Sequence, residues 1–492
     1  MEFLSIKKNC KKLFFICLFV FIILGFLLRL KVYLIGRPIW LDEGQLALSL
    51  LNRNFLGFFT ELERQQSAPP LFLILVKDFT FIFGTKELAM RIVPFVGGLL
   101  ALPLFYVFSK QFLIRKWSVL LASFLFAVNK ELIYYSQEFK QYSTDVLFFM
   151  LAFVILNKLS LKNLSVKQTV LYSLFIALLP LLSVPTVFVI GAWFIKELIC
   201  NKLNNLKKFA VFCFPIGIIN IIYLITVIIP QHNVMIKHFD YFWAKGFVSF
   251  DLLSDFDILK DNIVFFFDPN FLPLLIIILL FGGILCVLRR IKRSPHIILV
   301  LSFILILICS FLHIYPLSKR VALYTVPVLI VLILKPLDYF SLKRKVYSLI
   351  ISAVLVISFC KYTPAYMLNY PFLLRDHVTN GKILMKKLVK HYNGKGCIMV
   401  NNASYSEYSY YAGYYNFKPK CIKTDGFPEH MDYMAHLNNL KDGDYWFFYS
   451  FDYQGCPVIP MLKKWAADYE IKYEYEIPGS YLLHLKKRSK NK

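Results

Sequence analysis

The chain has 492 residues, 58% of them hydrophobic and 17% aromatic, with 49 Phe, far more apolar surface than one soluble core needs. Its 56 Lys and Arg outweigh 30 Asp and Glu for a net charge of +26, yet the bases sit in short clusters between apolar runs, the pattern of the positive-inside rule and not of a nucleic-acid surface. Composition therefore excludes a soluble globular enzyme and a nucleic-acid partner, and indicates a polytopic membrane protein.

The apolar runs, roughly 16–22 residues each, match the ~20 residues that a helix needs to cross a ~30 Å hydrocarbon layer. No strand alternation suggests a barrel, so the spans are read as helices. In chain order they fall near 13–35, 91–109, 117–133, 143–160, 168–183, 184–199, 209–229, 272–288, 296–314, 321–336 and 346–362. Basic clusters at Lys7/Lys8/Lys11/Lys12, Lys110/Arg115/Lys116, Lys158/Lys162/Lys167, Lys196/Lys202/Lys207/Lys208, Arg289/Arg290/Lys292/Arg293 and Lys343/Arg344/Lys345 are assigned to the cytoplasm. The loop 231–270 carries Asp240, Asp251, Asp255, Asp257, Asp261 and Asp268 against Lys237, Lys245 and Lys260, and is assigned outside. Eleven crossings put the N-terminus inside and the C-terminus outside.

The segment 69–84 is apolar but holds Lys77 and Asp78 at its middle. If it crossed, every later basic cluster would change sides, so it is read as a helix lying along the outer interface, within an external juxtamembrane segment 36–90. The first apolar run lacks a small-residue cleavage site and reads as a retained span. The predicted transmembrane domain is therefore 1–362.

After residue 362 the long apolar runs stop and Tyr, Lys and Asn increase. Short apolar strands such as Cys397-Ile398-Met399-Val400 alternate with helix-like stretches at 381–392 and 458–468, which predicts a small α/β domain over 363–492, outside the membrane. Cys397, Cys421 and Cys456 fall there, enough for one disulfide with one thiol left over. The chain has no zinc spacing, His-Glu-x-x-His, Walker loop or Rossmann glycine pattern, so ATP-driven transport and nicotinamide chemistry have no support.

The remaining chemistry-bearing residues gather, by this topology, on the outer face. Asp42 and Glu43 follow the first span; two adjacent carboxylates there are costly to place and stand out as candidates. Gln65-Gln66-Ser67-Ala68-Pro69-Pro70 breaks the chain before the next helix, Pro being favoured at helix starts. Glu87 and Arg91 lie where the second span begins, Tyr134 to Tyr142 joins spans three and four, and Tyr315-Pro316-Leu317-Ser318-Lys319-Arg320 joins spans nine and ten. Plain structural roles compete with each: Asp42 with Gln45 forms a capping-box pattern, Glu87 and Arg91 have the spacing of a helical ion pair, and Arg320 suits a snorkelling cation.

The order and spacing of these pieces resemble the GT-C glycosyltransferases. The pieces are the Asp42-Glu43 pair after span one, Ala68-Pro69-Pro70-Leu71, Phe83-Gly84 followed by Glu87 and Arg91-Ile92-Val93-Pro94, and Tyr135-Ser136-Gln137-Glu138 with Tyr142. Within that superfamily the chain is most similar to the protein O-mannosyltransferase and lipid A aminoarabinose transferase relatives of glycosyltransferase family 39, most strongly over 36–145. The resemblance implies a GT-C-like helical membrane domain and transfer of a sugar, with inversion, from a polyprenyl-phosphate donor, undecaprenyl phosphate in a bacterium. The acceptor would be a glycan, a glycolipid or a protein hydroxyl.

By the same resemblance Asp42 matches the catalytic aspartate and would take the acceptor's proton, with Glu43 beside it. Arg91, Lys140 and Arg320 would hold the donor phosphate as charge grows on it, and Glu87, Glu138 and Tyr142 would support them. Lys140 departs from the pattern: many relatives read Glu-x-Arg-x-Tyr where this chain reads Glu138-Phe139-Lys140-Gln141-Tyr142, which keeps the charge but loses the bidentate fork. GT-C enzymes differ in their use of a divalent metal, and no ligands beyond the acidic pair suggest themselves. Two rival classes share part of this profile. An envelope polysaccharide polymerase or ligase usually relies on outer arginines without an early Asp-Glu pair, and a lipid-linked glycan transporter or flippase would place polar breaks at mid-membrane, whereas here the polar groups cluster at one edge.

Overall fold

The computed structural model describes residues 2–200, 206–234, 243–267, 272–290, 294–340, 380–425, 433–450 and 458–487. The expected span at 346–362, the clusters Lys343/Arg344/Lys345 and Lys292/Arg293, the composition boundary at 362 and Cys456 lie outside the described residues.

Among the described residues the α-helices of six or more residues are, in chain order, α1 (Glu2–Ile35), α2 (Leu41–Asn52), α3 (Pro70–Phe83), α4 (Ile92–Ser109), α5 (Lys116–Val128), α6 (Lys130–Tyr135), α7 (Tyr142–Lys158), α8 (Val166–Leu182), α9 (Thr186–Cys200) and α10 (Leu206–Tyr223). They continue with α11 (Leu252–Phe266), α12 (Leu272–Arg290), α13 (Ser294–Phe311), α14 (Val326–Phe340), α15 (Gly381–His391), α16 (Asn402–Tyr414), α17 (Tyr433–Asn438) and α18 (Val458–Ala466). The strands are β1 (Cys397–Asn401), β2 (Ile422–Asp425), β3 (Gly443–Tyr449), β4 (Glu470–Ile477) and β5 (Ser480–Lys487). The chain forms two compact units.

The first unit is Met1–Ile35, Phe55–Ile82 and Leu88–Leu368, and its described residues form helices and the turns that join them. Four of its helical stretches are long and apolar enough to cross a membrane: Lys11–Ile35, Ile92–Ser109, Leu206–Val234 and Lys319–Asp338. Shorter apolar helices are Lys116–Val128, Val166–Leu182, Leu275–Ile284 and Pro295–Phe311. Exposed Leu13, Phe15, Phe19, Val20 and Leu27 give α1 an apolar outer face, as expected where lipid and not water surrounds a helix. Inward, α1 packs on α4 and α5, α4 on α7, α8 on α10, and α9 on α13.

Small residues let these helices approach closely. At Gly98 a Cβ would meet Cβ of Ser136 at 2.7 Å and Oγ of Ser143 at 3.0 Å, so α4 can lie against the chain between α6 and α7 only because that side chain is missing. Local polar groups close the helix ends. The Asp338 carboxylate of α14 accepts from the backbone N–H groups of Ile114 and Arg115 at 3.0 and 2.9 Å, satisfying orphan donors at the start of α5. Asn129 ends α5 by capping α6: its side chain accepts from Leu132 N–H at 3.0 Å and donates to Phe266 O at 2.8 Å. The single expected span over 117–133 is thus two helices, because a capping Asn interrupts an otherwise continuous apolar run.

The second unit comprises Gly36–Asn54, Phe83–Glu87 and Asn369–Lys492. Its sheet has the order β2-β1-β3-β5-β4, with β1 parallel to β2 and β3, and β5 antiparallel to β3 and β4. Gly479, at a positive φ of 71°, makes the tight turn between β4 and β5. The buried run Trp446-Phe447-Phe448-Tyr449 on β3 and Leu482-Leu483 on β5 form the apolar centre, and α17 and α18 cover one face through Tyr433, Leu437, Leu462 and Trp465. A disulfide joins Cys397 to Cys421. It ties β1 to the start of β2, where Ile398 N–H also donates to Cys421 O at 3.0 Å.

Candidate functional site

In the second unit the acidic residues sit on the first turn of α2 and on the segment ending at Glu87. Trp40, not Asp42, occupies the N-cap position. Glu43 folds back so that its carboxylate accepts from Trp40 N–H at 3.5 Å and pairs with the Arg37 guanidinium at 3.3 Å. Glu43 is fully buried and Asp42, one position earlier, is half-buried. The capping geometry therefore centres on Glu43 where the sequence pattern suggests Asp42 with Gln45, because the chain turns into the helix two residues sooner.

The rest of the second unit holds this turn in place. α2 packs on α16, and Gly44 makes the closest approach: a Cβ there would lie 3.2 Å from Ser406 C and 3.3 Å from Glu407 N. Tyr411, also on α16 and fully buried, accepts from Ile39 N–H at 2.8 Å and donates to Oε1 of Glu87 at 3.1 Å. Burial and then the nearby Glu87 charge push the Tyr411 phenol well above its usual range, so it remains a donor at any working pH. Lys382 of α15 pairs with the same Glu87 oxygen at 2.8 Å, and Tyr410 donates to Thr85 O at 2.7 Å. Glu87, spaced in sequence for an ion pair with Arg91, thus has Lys382 and Tyr411 as partners.

In the first unit the cations sit at the starts of helices and in the loop before α7. Arg91 is the N-cap residue of α4 and is 1% exposed. Beside it Tyr33 of α1 donates to Leu88 O at 2.8 Å and stacks on Phe95 with ring centres 4.3 Å apart. The loop Ser136 to Gln141 is buried except for Gln141; Glu138 is 1% and Lys140 4% exposed. Lys140 donates to the side-chain oxygen of Gln66, Gln141 donates to Ser67 O at 3.3 Å, and Phe139 stacks on Phe72 of α3. The break 65–70 and the loop 136–141 are therefore one structural piece, a pairing that the sequence does not announce. Arg320 stands with its guanidinium carbon 6.0 Å from the Tyr142 ring centre and 5.7 Å from that of Trp243, in cation–π range.

Helix α3 forms over Pro70–Phe83 as the pattern predicts, and Lys77 at its middle is buried, its ammonium 5.4 Å from the Phe58 ring centre. Arg29 of α1 is 1% exposed and donates to Gly25 O and Ala127 O at 3.1 and 3.0 Å; it closes the carbonyl end of α5. Residues that sequence reasoning missed are Arg37, Lys382 and Tyr411, which hold the acidic segment, and Gln66, which meets Lys140. Among the described residues no group of three or more His, Cys, Asp or Glu is arranged to hold a metal ion.

No protein-family model matches the chain, and no curated protein matches it either. Solved structures do. ArnT from Cupriavidus metallidurans in the apo state aligns with a TM-score of 0.55 at 10% identity, over 97% of this chain and 98% of that one. The same protein bound to undecaprenyl phosphate aligns at 0.51 and 10% identity over 96% and 98%, and the oligosaccharyltransferase AglB from Archaeoglobus fulgidus, with an inhibitory peptide and a dolichol-phosphate, at 0.48 and 14% over 95% and 74%. The chain has the GT-C fold that ArnT shows.

Proposed function

We propose that the chain is an integral membrane glycosyltransferase that moves a hexosyl or pentosyl group from a polyprenyl-phosphate donor to an acceptor at the outer face of the membrane, with inversion. The observation that carries this reading is the nearly complete overlap with ArnT, a protein solved with undecaprenyl phosphate; the acidic pair and the cations are assigned to the reaction by the sequence resemblance.

In this reading Asp42 accepts the proton of the acceptor hydroxyl as its oxygen attacks the anomeric carbon from the side opposite the phosphate. The bond between that carbon and the phosphate oxygen breaks, its electron pair stays with the polyprenyl phosphate, and Arg91, Lys140 and Arg320 stabilise the charge that builds there. Glu43 fixes the first turn of α2 through Arg37 and Trp40, a positioning role for Asp42. Glu87, Glu138 and Tyr142 support the cations.

The finer architecture belongs to the same proposal: eleven spans, the N-terminus in the cytoplasm, a transmembrane domain over 1–362 and an external domain over 363–492. The acceptor is a glycan, glycolipid or protein. The test is to incubate purified protein with polyprenyl-phosphate sugars and follow both free polyprenyl phosphate and the anomeric configuration of the product. Release coupled to an inverted product supports the reading; a retained configuration, or no transfer from any donor, overturns it.

A further inference from the structure

Arg320 follows a residue whose backbone is held in an unfavourable shape. Lys319 has a φ of 44°, in the left-handed region where the Cβ of an L residue crowds the following carbonyl oxygen. Such a conformation persists where surrounding contacts impose it. The Lys319 side chain is exposed, and the grip is on the backbone around it. Lys319 N–H donates to Oδ1 of Asn262 at 2.5 Å, and Nδ2 of the same side chain donates to Leu317 O at 2.9 Å. All of these residues belong to the first unit.

A carboxamide suits this task. It carries an acceptor and a donor on a short stem, and here the two engage a backbone N–H and a backbone C=O two residues apart. Asn262 is 7% exposed and lies on α11, one turn before Phe266. The Phe266 carbonyl accepts from the Asn129 side chain at 2.8 Å, which ties this end of α11 to the junction of α5 and α6. The chain leading into α11 is tied as well: Leu317 N–H donates to Gly246 O at 2.8 Å, and Val248 N–H donates to the Ser310 hydroxyl at 3.1 Å. At Gly246 a Cβ would meet Cβ of Ser318 at 3.0 Å, so the two segments run closely against each other. Asn262 is therefore a firmly mounted clamp on 317–319. The next residue is Arg320, whose guanidinium carbon stands 6.0 Å from the Tyr142 ring centre and 5.7 Å from that of Trp243.

We infer that Asn262 is a positioning residue for donor binding: it holds Lys319 in the left-handed conformation and thereby aims the Arg320 guanidinium at the carrier phosphate. This rests on the glycosyltransferase reading, in which Arg320 binds that phosphate. Without the two hydrogen bonds Lys319 relaxes to negative φ, the chain leaves it in another direction, and the guanidinium loses its place beside Tyr142 and Trp243. The effect of Asn262 on the donor passes wholly through Arg320.

The test is a double-mutant cycle on full-length protein in detergent, reading the Kd for undecaprenyl phosphate and the unfolding temperature of wild type, Asn262→Ala, Arg320→Ala and the double variant. Asn262→Ala should weaken binding about fivefold or more when Arg320 is present and less than about twofold when it is absent. The unfolding temperature should fall equally in both backgrounds, which separates positioning from a purely structural role. Adding Lys319→Gly to Asn262→Ala should recover part of the lost affinity, because glycine takes positive φ readily. An equal loss of affinity in both backgrounds, no loss in either, or no recovery with Lys319→Gly overturns the positioning role and leaves the glycosyltransferase reading standing. Wild type that binds no undecaprenyl phosphate, or Arg320→Ala that binds it as wild type does, overturns the phosphate reading of Arg320 and the positioning role with it. Should Asn262→Ala fail to fold, Asn262→Gln, which sets the amide one methylene out of place, goes through the same cycle.

Discussion

The hydroxyl of Tyr411 bridges two segments well separated in sequence, accepting from Ile39 N–H at 2.8 Å and donating to the Glu87 carboxylate at 3.1 Å. Ile39 immediately precedes the capping turn of α2 that presents Asp42. A single phenol on α16 therefore connects the entry to the acidic helix with the carboxylate that Lys382 also holds. Tyr411→Phe keeps the ring and removes both hydrogen bonds, leaving the Glu87 oxygen to Lys382 alone. Stability should fall by about 1–3 kcal/mol, read as thermal unfolding in detergent, and kcat should change more than KM because Asp42, the proposed base, loses its positioning. Unchanged kcat with lowered stability would restrict Tyr411 to a structural role.

Gly44 has no room for a side chain: the atoms nearest to an added Cβ are the Ser406 carbonyl carbon and the Glu407 nitrogen, and backbone cannot swing aside as a flexible side chain can. Gly44→Val should lift α2 off α16 at a cost of about 1–3 kcal/mol. Limited proteolysis within 36–54 should rise in the variant while the rest of the chain stays intact.

Lys140 and Arg320 differ in what they need. Lys140 meets a neutral amide, Gln66, so Lys140→Arg should retain transfer activity within about threefold, whereas Lys140→Gln should lose about tenfold or more with the charge. Arg320 is placed over two aromatic rings, where a planar guanidinium stacks and an ammonium does not. Arg320→Lys should therefore raise KM for the donor by about tenfold. Donor titrations of the three variants check both statements.

The carboxylate of Asp338 supplies acceptors to two backbone donors at the start of α5. Asp338→Ala removes both charge-assisted bonds and should lower stability by about 1.5–3 kcal/mol with no selective effect on donor use, a contrast to the cation variants that a combined melting and transfer assay would reveal.

A pH dependence is built into the sheet. His484 stacks on Trp446 with ring centres 4.2 Å apart, and burial, with the Lys472 charge adding to it against the opposing Asp444, holds its pKa below the usual range. The unfolded chain therefore takes up this proton first, from about pH 6.5 downward. The stability contributed by keeping His484 neutral is present above that pH and is lost as pH falls toward the folded pKa. The unfolding temperature should decline from pH 7 to 5, less steeply in His484→Phe, with Trp446 fluorescence as the reporter.

Much of the fold is legible in the sequence because apolar runs and cap residues are local. The pattern over 69–84 is α3 at Pro70–Phe83, and the amphipathic stretch at 381–392 is α15 at Gly381–His391. Where pattern and structure part, a local polar group overrules the apolar run, as when Asn129 divides 117–133 into α5 and α6. Sequence narrows the disulfide partners to three cysteines without choosing among them, since only the strand pairing brings Cys421 beside Cys397. The supports of the candidate residues are not legible at all. Tyr411 lies 324 residues from Glu87 and Lys140 lies 74 from Gln66, and no spacing rule reaches across such distances.

Topology offers an independent check. Single cysteines at positions 77 and 87–91 should all be reached by a membrane-impermeant thiol reagent from outside, or be shielded by packing, and none should be labelled from the cytoplasm. Cytoplasmic labelling at 87–91 would overturn the proposed topology.

The most direct test of the central claim compares wild type with Asp42→Asn at matched expression, offering radiolabelled polyprenyl-phosphate sugars and counting label in lipid, glycan and protein fractions. Asn preserves size and removes the base, so the account predicts transfer by wild type and its collapse, by about a hundredfold or more, in the variant. Equal transfer in both would contradict it and remove Asp42 from the chemistry.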